Sequence, residues 1–175
     1  MRNHDLVLRA ATADGEPVVI CVEAKAGEPL GATLAEQSKA AAKAKQINPN
    51  SNASARVTDL VTRLCRYPVE DKRVAAVRYQ LLTAWAGTLV EAGAAMHAVL
   101  ALHEFRTDQR PADKSSANRA ELGRFGDVVL GCDLPASNTA PWCIRVPDAP
   151  GVRAALYVAH VVTDLRATAL APVGT

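Results

Sequence analysis

An acid and a base two residues apart, Glu23 and Lys25, directly follow the apolar run Val18-Val19-Ile20-Cys21-Val22. The run is mostly β-branched, which predicts a buried strand. A carboxylate and an ammonium at the end of such a strand cost several kcal/mol each to desolvate, unless they pair or bind a metal. We therefore expect the strand to end at a site whose reacting groups are Glu23 and Lys25.

A third charged residue joins this pair if the preceding hairpin has the right register. Residues 4–11 and 18–25 are predicted strands joined by turn residues. A two-residue turn at Asp14-Gly15 would set Asp5 opposite Ala24. A three-residue loop ending in a left-handed Gly15 sets Asp5 opposite Glu23, on the same face as Lys25. Glycine as the third loop residue favours this second register.

The other face of the hairpin is then the predicted core face. Because a strand alternates sides, the face opposite the charged residues carries only aliphatic side chains. These are Leu6, Leu8, Val18, Ile20 and Val22.

Two carboxylates on neighbouring strands can share one hard divalent cation. Mg²⁺ (or Mn²⁺) takes one or two carboxylates and keeps waters for phosphate substrates. Lys25, on the same face as the acids, can position or deprotonate a water, or neutralise charge that develops on a phosphate. The three residues Asp5, Glu23 and Lys25 thus provide the parts of a hydrolytic phosphodiesterase, with Asp5 and Glu23 as the metal ligands.

An acid, a hairpin and Glu-x-Lys at a strand end form a pattern that resembles the PD-(D/E)XK nuclease superfamily. Asp5 matches its first acid, and Glu23 and Lys25 match its second half. The blocks HDLVLRA, VEAKAGEPLG, RYQLL and HEF also resemble an uncharacterised bacterial branch. The resemblance implies a restriction-endonuclease-like α/β fold, with a mixed central sheet flanked by helices. It further implies a Mg²⁺-dependent nuclease acting on DNA, and a possible homodimer.

Two other functions stay open. The superfamily core begins with a helix and a strand before the first acid, where this chain offers only Met1 to His4. This difference motivates a non-catalytic interaction or nucleic-acid-binding module. The third hypothesis is a structural or small-molecule-binding protein in which Glu23 and Lys25 form only a salt bridge. In that case Asp5 would merely cap the start of its strand.

The remaining elements predict one domain over residues 1–175, with a frayed tail from about residue 166. Helices are expected over about 33–48, 55–67, 70–93 and 117–124. Strands are expected over 96–105, 142–146 and 154–163, and residues 126–141 are expected to be irregular. The long helix carries a core stripe at spacings of three and four. Its members are Val74, Val77, Leu81, Trp85 and Thr88 or Leu89.

Several further residues are candidates with a simpler alternative. Gln80 and Arg78 are predicted to touch the substrate or Lys25, unless they only face solvent. Glu28 is either an extra metal ligand or a loop charge. His103 and Glu104 end a predicted strand and are expected either to face the site or to lie apart from it.

Composition bears on several classes of protein. The net charge of +2 is too weak to argue for nucleic-acid binding and does not exclude it, because clustering matters more than the sum, and the 4 % of aromatic residues leave few platforms for stacking single-stranded bases. No apolar run is long enough to span a membrane, and no signal peptide is recognised. The four cysteines lack Cys-x-x-Cys spacing, so we expect reduced thiols in a cytoplasmic protein.

Overall fold

The structure is a computed structural model that describes residues 4–26, 28–93, 95–106, 113–135 and 141–165. Its five strands are β1 (Leu6–Ala11), β2 (Pro17–Lys25), β3 (His97–Arg106), β4 (Trp142–Arg145) and β5 (Ala155–Asp164). They form one sheet in the order β1-β2-β3-β5-β4. Strands β2, β3 and β5 are parallel, whereas β1 and β4 run antiparallel to their neighbours. The predicted α/β class with a mixed sheet flanked by helices is confirmed.

The hairpin has the register that places Asp5 beside Glu23. Leu6 is opposite Val22, and the pairing continues to Ala11 opposite Pro17. Gly15 has a φ of 82°, and its N–H donates to the Thr12 carbonyl at 3.0 Å. This left-handed residue lets the chain reverse over three residues, as the sequence predicts.

Five α-helices cover the sheet: α1 (Leu34–Ile47), α2 (Ala53–Leu64), α3 (Lys72–Ala75), α4 (Tyr79–Ala92) and α5 (Asp113–Phe125). A π-helical turn, Gly126–Leu130, follows α5 in a stretch that was expected to be irregular. Helix α1 starts at a capping box in which Thr33 and Glu36 bond each other's backbone N–H. The residues predicted as tail, from 166 onward, lie outside the described residues.

The predicted single helix over 70–93 is wrong, because the chain is extended between α3 and α4. The Val77 carbonyl accepts from the N–H of Leu34 at 2.8 Å, and the Tyr79 N–H donates to Ala32 at 3.0 Å. These bonds to the loop before α1 replace helical ones. The predicted core stripe is nevertheless buried in both helices. The break restarts the helix at Tyr79, so that Gln80 lies in the first turn of α4.

The predicted core face is also wrong. Leu6 is 50 % exposed and Leu8 is 43 % exposed, and Val18, Ile20 and Val22 are only half-buried. The core instead lies on the face of Val19 and Cys21, which join the buried helix residues in one hydrophobic cluster. The prediction assumed that charged residues and core residues occupy opposite faces. Here the charged end of β2 and its buried apolar part share one face.

Gly15→Ala should destabilise the protein by about 1–2 kcal/mol, because a Cβ disfavours the left-handed conformation. Nothing lies within 4 Å of the position of that Cβ, so the loss measures backbone strain alone. Urea unfolding would measure it. Gly15→Asn is the matched control and should cost less, since asparagine enters this region more easily. An alanine variant as stable as the wild type would contradict this account of the loop.

Candidate active site at the carboxyl end of the parallel strands

Glu23 and Lys25 lie at the carboxyl end of β2, on the face that the helices cover. Alternation along the strand puts them on the same side as Val19 and Cys21. Only 1 % of Glu23 and 7 % of Lys25 is exposed. In open α/β sheets, this end of the parallel strands is where ligands commonly bind.

The two buried charges are held by direct contacts. Lys25 Nζ lies 2.9 Å from Glu23 Oε1. The side-chain amide of Gln80 donates to the same oxygen. The break before α4 positions this amide, since it places Gln80 in the first turn of the helix. Two donors on one carboxylate oxygen offset part of the cost of desolvating it.

Asp5 lies at the sheet edge, one residue before β1, next to the end of β2. The strand pairing ends at Leu6 opposite Val22, and the N–H of Asp5 donates to the Val22 carbonyl at 3.1 Å, so the regular ladder does not continue to a pair of Asp5 with Glu23. Asp5 Oδ2 accepts from the N–H of Ala24 at 2.8 Å, where a ladder carbonyl would otherwise bond. Asp5 is exposed, so its carboxylate stays accessible to a ligand from solvent.

Hydrogen bonds connect the loop after β2 with α5 and with the start of α4. Arg78 Nη1 donates to the Gly31 carbonyl at 2.8 Å, and its Nη2 donates to Glu121 at 3.2 Å. The Asn118 amide donates to the carbonyl of Glu28 at 3.3 Å. Gln80 and Arg78 were predicted together, and only Gln80 contacts the Glu23–Lys25 pair in these bonds. Arg78 instead positions the loop.

Glu28 lies on that loop, and its carboxylate approaches Lys25 Nζ at 3.6 Å. The side chain of Glu28 is 53 % exposed. Its contact is thus with the lysine at the mouth of the site.

The polar network extends along the strand ends to β5, where it includes His160, which sequence reasoning missed. Glu104 is the strand partner of Lys25 and is buried on the same face, whereas His103 points to the other face and bonds Thr163 at 2.8 Å. His160 of β5 is 4 % exposed and lies 3.5 Å from Glu104. The available signal was a histidine inside the apolar run of residues 154–162.

A small cavity of about 20 Å³ lies within this network. Lys25, Glu104, Asn118 and His160 are among its lining residues. A volume of this size accommodates a single water molecule. Leu30, Leu102 and Leu122 line it as well, so its walls are largely apolar, and the space is too small for a substrate.

A larger cleft of about 500 Å³ runs between α2 and α4, near the Asp5 side of the site. Arg56, Asp59 and Arg63 line one wall, and Thr83 and Gly87 are among the residues of the other. Thr83 lies one turn after Gln80 on the same helix. The imidazole of His4, next to Asp5, lies where a side chain on Gly87 would be. The cleft is therefore a path for a ligand toward Asp5.

The acids can hold a cation only in a water-rich coordination shell. Within the described part of the chain, no three His, Cys, Asp or Glu side chains form a group that could hold a metal ion. Asp5 and Glu23 alone provide two carboxylates, which is the number that Mg²⁺ commonly takes from protein. The donor set fits a hard cation whose other ligands are waters and substrate oxygens.

The cysteines take no part in this site. All four are free thiols, and Cys21, which lies behind Glu23 on β2, is fully buried. Burial raises the pKa of Cys21, and it raises the pKa of Cys65 to about 11. Neutral thiols at ordinary pH are poor nucleophiles and poor zinc ligands.

Comparison with known proteins identifies a family for this chain. A family model described as "Domain of unknown function (DUF6946)" matches residues 1–152. No curated protein and no solved structure matches the chain. No helix in the described residues is long and apolar enough to cross a membrane.

Replacing the buried pair by apolar residues should separate a structural role from a functional one. Glu23→Leu alone should cost about 3–5 kcal/mol, because it removes the partner of buried Lys25. The double variant Glu23→Leu/Lys25→Met should be about as stable as the wild type, since neither position then buries a charge. Urea unfolding would measure both. A double variant less stable than the single one would mean that the pair exists for stability.

Proposed function

We propose that this protein, which belongs to the DUF6946 family, is a divalent-metal-dependent nuclease of restriction-endonuclease-like fold. It would hydrolyse phosphodiester bonds in DNA. The observation that carries the proposal is the contact of the Asp5 carboxylate with the N–H of Ala24, the residue between Glu23 and Lys25. With it come Lys25 and Gln80, both bonded to the Glu23 carboxylate.

The arrangement of the strands supports the finer fold assignment. The first acid and the Glu-x-Lys pair lie on an antiparallel hairpin, and β3 then joins β2 in parallel. Its crossover contains α1 to α4. This agrees with the resemblance of residues 5–25 to the PD-(D/E)XK superfamily.

Asp5 and Glu23 are the residues that would hold Mg²⁺ or Mn²⁺. When bound, such a cation lowers the pKa of a coordinated water and polarises a phosphoryl oxygen. Asp5 uses only Oδ2 in its bond to Ala24, and Oδ1 makes no hydrogen bond within the described part of the chain. That oxygen is the accessible donor for a cation.

Lys25 is the residue that would act on the attacking water or on the developing phosphate charge. Its ammonium has three N–H donors, and the contacts to Glu23 and Glu28 hold it at the mouth of the site. Gln80 keeps the Glu23 carboxylate in place by its amide. Such fixed groups need no reorganisation when charge develops in the transition state.

The cleft between α2 and α4 is where the DNA backbone would approach. Arg56 and Arg63 lie seven residues apart, on one side of α2, and both line the cleft. Guanidinium groups bind phosphates through several N–H donors. Asp59 on the same wall pairs with Arg63 at 2.6 Å, so Arg56 is the residue through which the cleft would mainly attract a polyanion, in a chain whose net charge is only +2.

One observation favours a second function, a non-catalytic nucleic-acid-binding or interaction module. The Glu23 oxygen that faces Lys25 already receives two donors. Because this oxygen already accepts from two donors, Glu23 can form a stable polar cluster with Lys25 and Gln80 without a cation. In that case, the fold would bind DNA or a protein partner without cleaving it.

Mg²⁺ or Mn²⁺ should raise the melting temperature of the wild type. With a dissociation constant of about 1 mM, 10 mM cation stabilises by about 1.4 kcal/mol, or about 3–6 °C for a chain of this size. Asp5→Asn and Glu23→Gln should abolish the shift. Asp14→Asn, in the same hairpin, should keep it. An equal shift in Asp5→Asn would contradict the metal site.

Cleavage of supercoiled plasmid DNA tests the role of the lysine. Lys25→Met should lower the rate by at least about 100-fold, the usual contribution of a general acid or base. It should keep the cation-dependent melting shift, since both carboxylates remain. Lys43→Met removes an exposed lysine of α1 and is the control. DNA binding without cleavage, unaffected by Asp5→Asn and Lys25→Met, would contradict the nuclease proposal. It would favour the non-catalytic module.

A further inference from the structure

Lys25 has two carboxylate partners that differ in distance and in burial. Its Nζ lies 2.9 Å from Glu23 Oε1 and 3.6 Å from Glu28 Oε1. The side chain of Glu23 is 1 % exposed, whereas that of Glu28 is 53 % exposed. The first contact is a buried hydrogen bond, and the second is an ion pair that is too long for a hydrogen bond. Lys25 therefore has one fixed partner and one partner that can be exchanged.

Hydrogen bonds fix the backbone of the loop that carries Glu28. The Glu28 carbonyl accepts from the side-chain amide of Asn118 at 3.3 Å, and Asn118 is itself buried. Three residues later, the Gly31 carbonyl accepts from Arg78 at 2.8 Å. Exchange of the partner of Lys25 then needs only a rotation of the Glu28 side chain. Because an exposed ion pair contributes little to stability, this rotation costs little.

The Glu28 carboxylate covers the solvent side of the lysine. With Glu28 in contact, only 8 % of the Lys25 side chain is exposed, and the buried Glu23 takes the inner side of the ammonium. A phosphate from solvent reaches Nζ most directly where Glu28 now lies. Carboxylates and phosphates both present anionic oxygens to an ammonium. Glu28 thus occupies the place of a substrate anion.

We propose that Glu28 is a gate for anionic substrates, which keeps Lys25 covered until a substrate phosphate takes its place. The gate rests on the proposed nuclease function, because it concerns the lysine and the phosphate of that reaction. Asp5, Glu23 and Glu28 set three carboxylates around one ammonium, a balance that repels an anion. A divalent cation held by Asp5 and Glu23 would remove this excess of negative charge. DNA would then enter after the cation.

The gate differs in its consequences from the two other roles of Glu28. As an extra metal ligand, Glu28 would strengthen cation binding, and its loss would reduce the melting shift caused by Mg²⁺. As an ordinary loop charge, it would affect DNA no more than a distant exposed acid does. Removal of a gate instead tightens DNA binding and leaves the melting shift in place.

Fluorescence anisotropy of a labelled DNA duplex in EDTA tests the gate. Glu28→Gln keeps the shape of the side chain and removes its charge. It should bind the duplex about 3–5-fold more tightly than the wild type, as expected for the loss of one half-exposed ion pair. The difference should shrink between about 50 mM and about 200 mM salt, because salt screens exposed charges. In plasmid cleavage, Glu28→Gln should lower KM and leave kcat within about twofold, since the gate acts before the chemical step.

Asp14→Asn is the matched control, since it also removes one exposed carboxylate from the chain. Asp14 precedes β2, and the nine residues of that strand separate it from the site by about 25–30 Å. This separation exceeds the distance over which exposed charges interact at about 0.1 M salt. Asp14→Asn should therefore change the affinity for the duplex by less than about 1.5-fold.

An effect of Glu28→Gln no larger than that of Asp14→Asn would overturn the gate. Weaker DNA binding by Glu28→Gln, or loss of its cation-dependent melting shift, would overturn it too and make Glu28 a ligand of the metal. A Glu28→Gln variant that binds no duplex, with or without cation, would also overturn it. Failure of the nuclease proposal is seen separately, in the melting shift of Asp5→Asn and in cleavage by Lys25→Met.

Discussion

The buried ion pair between Glu23 and Lys25 is the constraint around which this fold is arranged. Both groups lie on the core face of β2, where uncompensated charge costs several kcal/mol. The contact between the two side chains and the hydrogen bond from the Gln80 amide to Glu23 stabilise these buried charges. The position of that amide depends on the break at residues 77 and 78, after which α4 starts at Tyr79. The need to stabilise Glu23 and Lys25 on β2 thus explains the break between α3 and α4, which is distant in sequence.

Charged and apolar side chains are distributed unusually between the two faces of the sheet. The helix-covered face holds the core and also most of the charged strand residues, whereas the outer face carries one Lys, Arg, Asp or Glu, Arg145, within the described strands. Polar groups at the carboxyl ends of β2, β3 and β5 therefore meet in one partly closed space. The cost of burying them is offset by their pairing. Among the described residues, Leu6 and Leu8 of the outer face stay exposed.

Some of the site could be predicted from residues that act locally. Gly15 at the third loop position favours a three-residue reversal, and this register sets Leu6 opposite Val22 and brings Asp5 to the end of β2. Gln80 was recognised as a candidate, but its contact depends on a helix break. That break comes from backbone bonds between Val77–Tyr79 and the loop before α1, about 45 residues away. His160 was missed because nothing local distinguishes it from a core position in an apolar strand.

The sequence by itself determined the α/β class, the hairpin and its register, since turn chemistry and strand alternation are short-range. It also determined which residues could do chemistry, because Glu-x-Lys after an apolar run has few structural uses. Only the tertiary structure decided which face of the hairpin is the core. A strand pattern gives the two faces but not the side on which helices pack, and that depends on the buried surface of the whole chain. The same packing joined Glu104 and His160 to the site and left Leu6, Leu8 and Ile20 outside it.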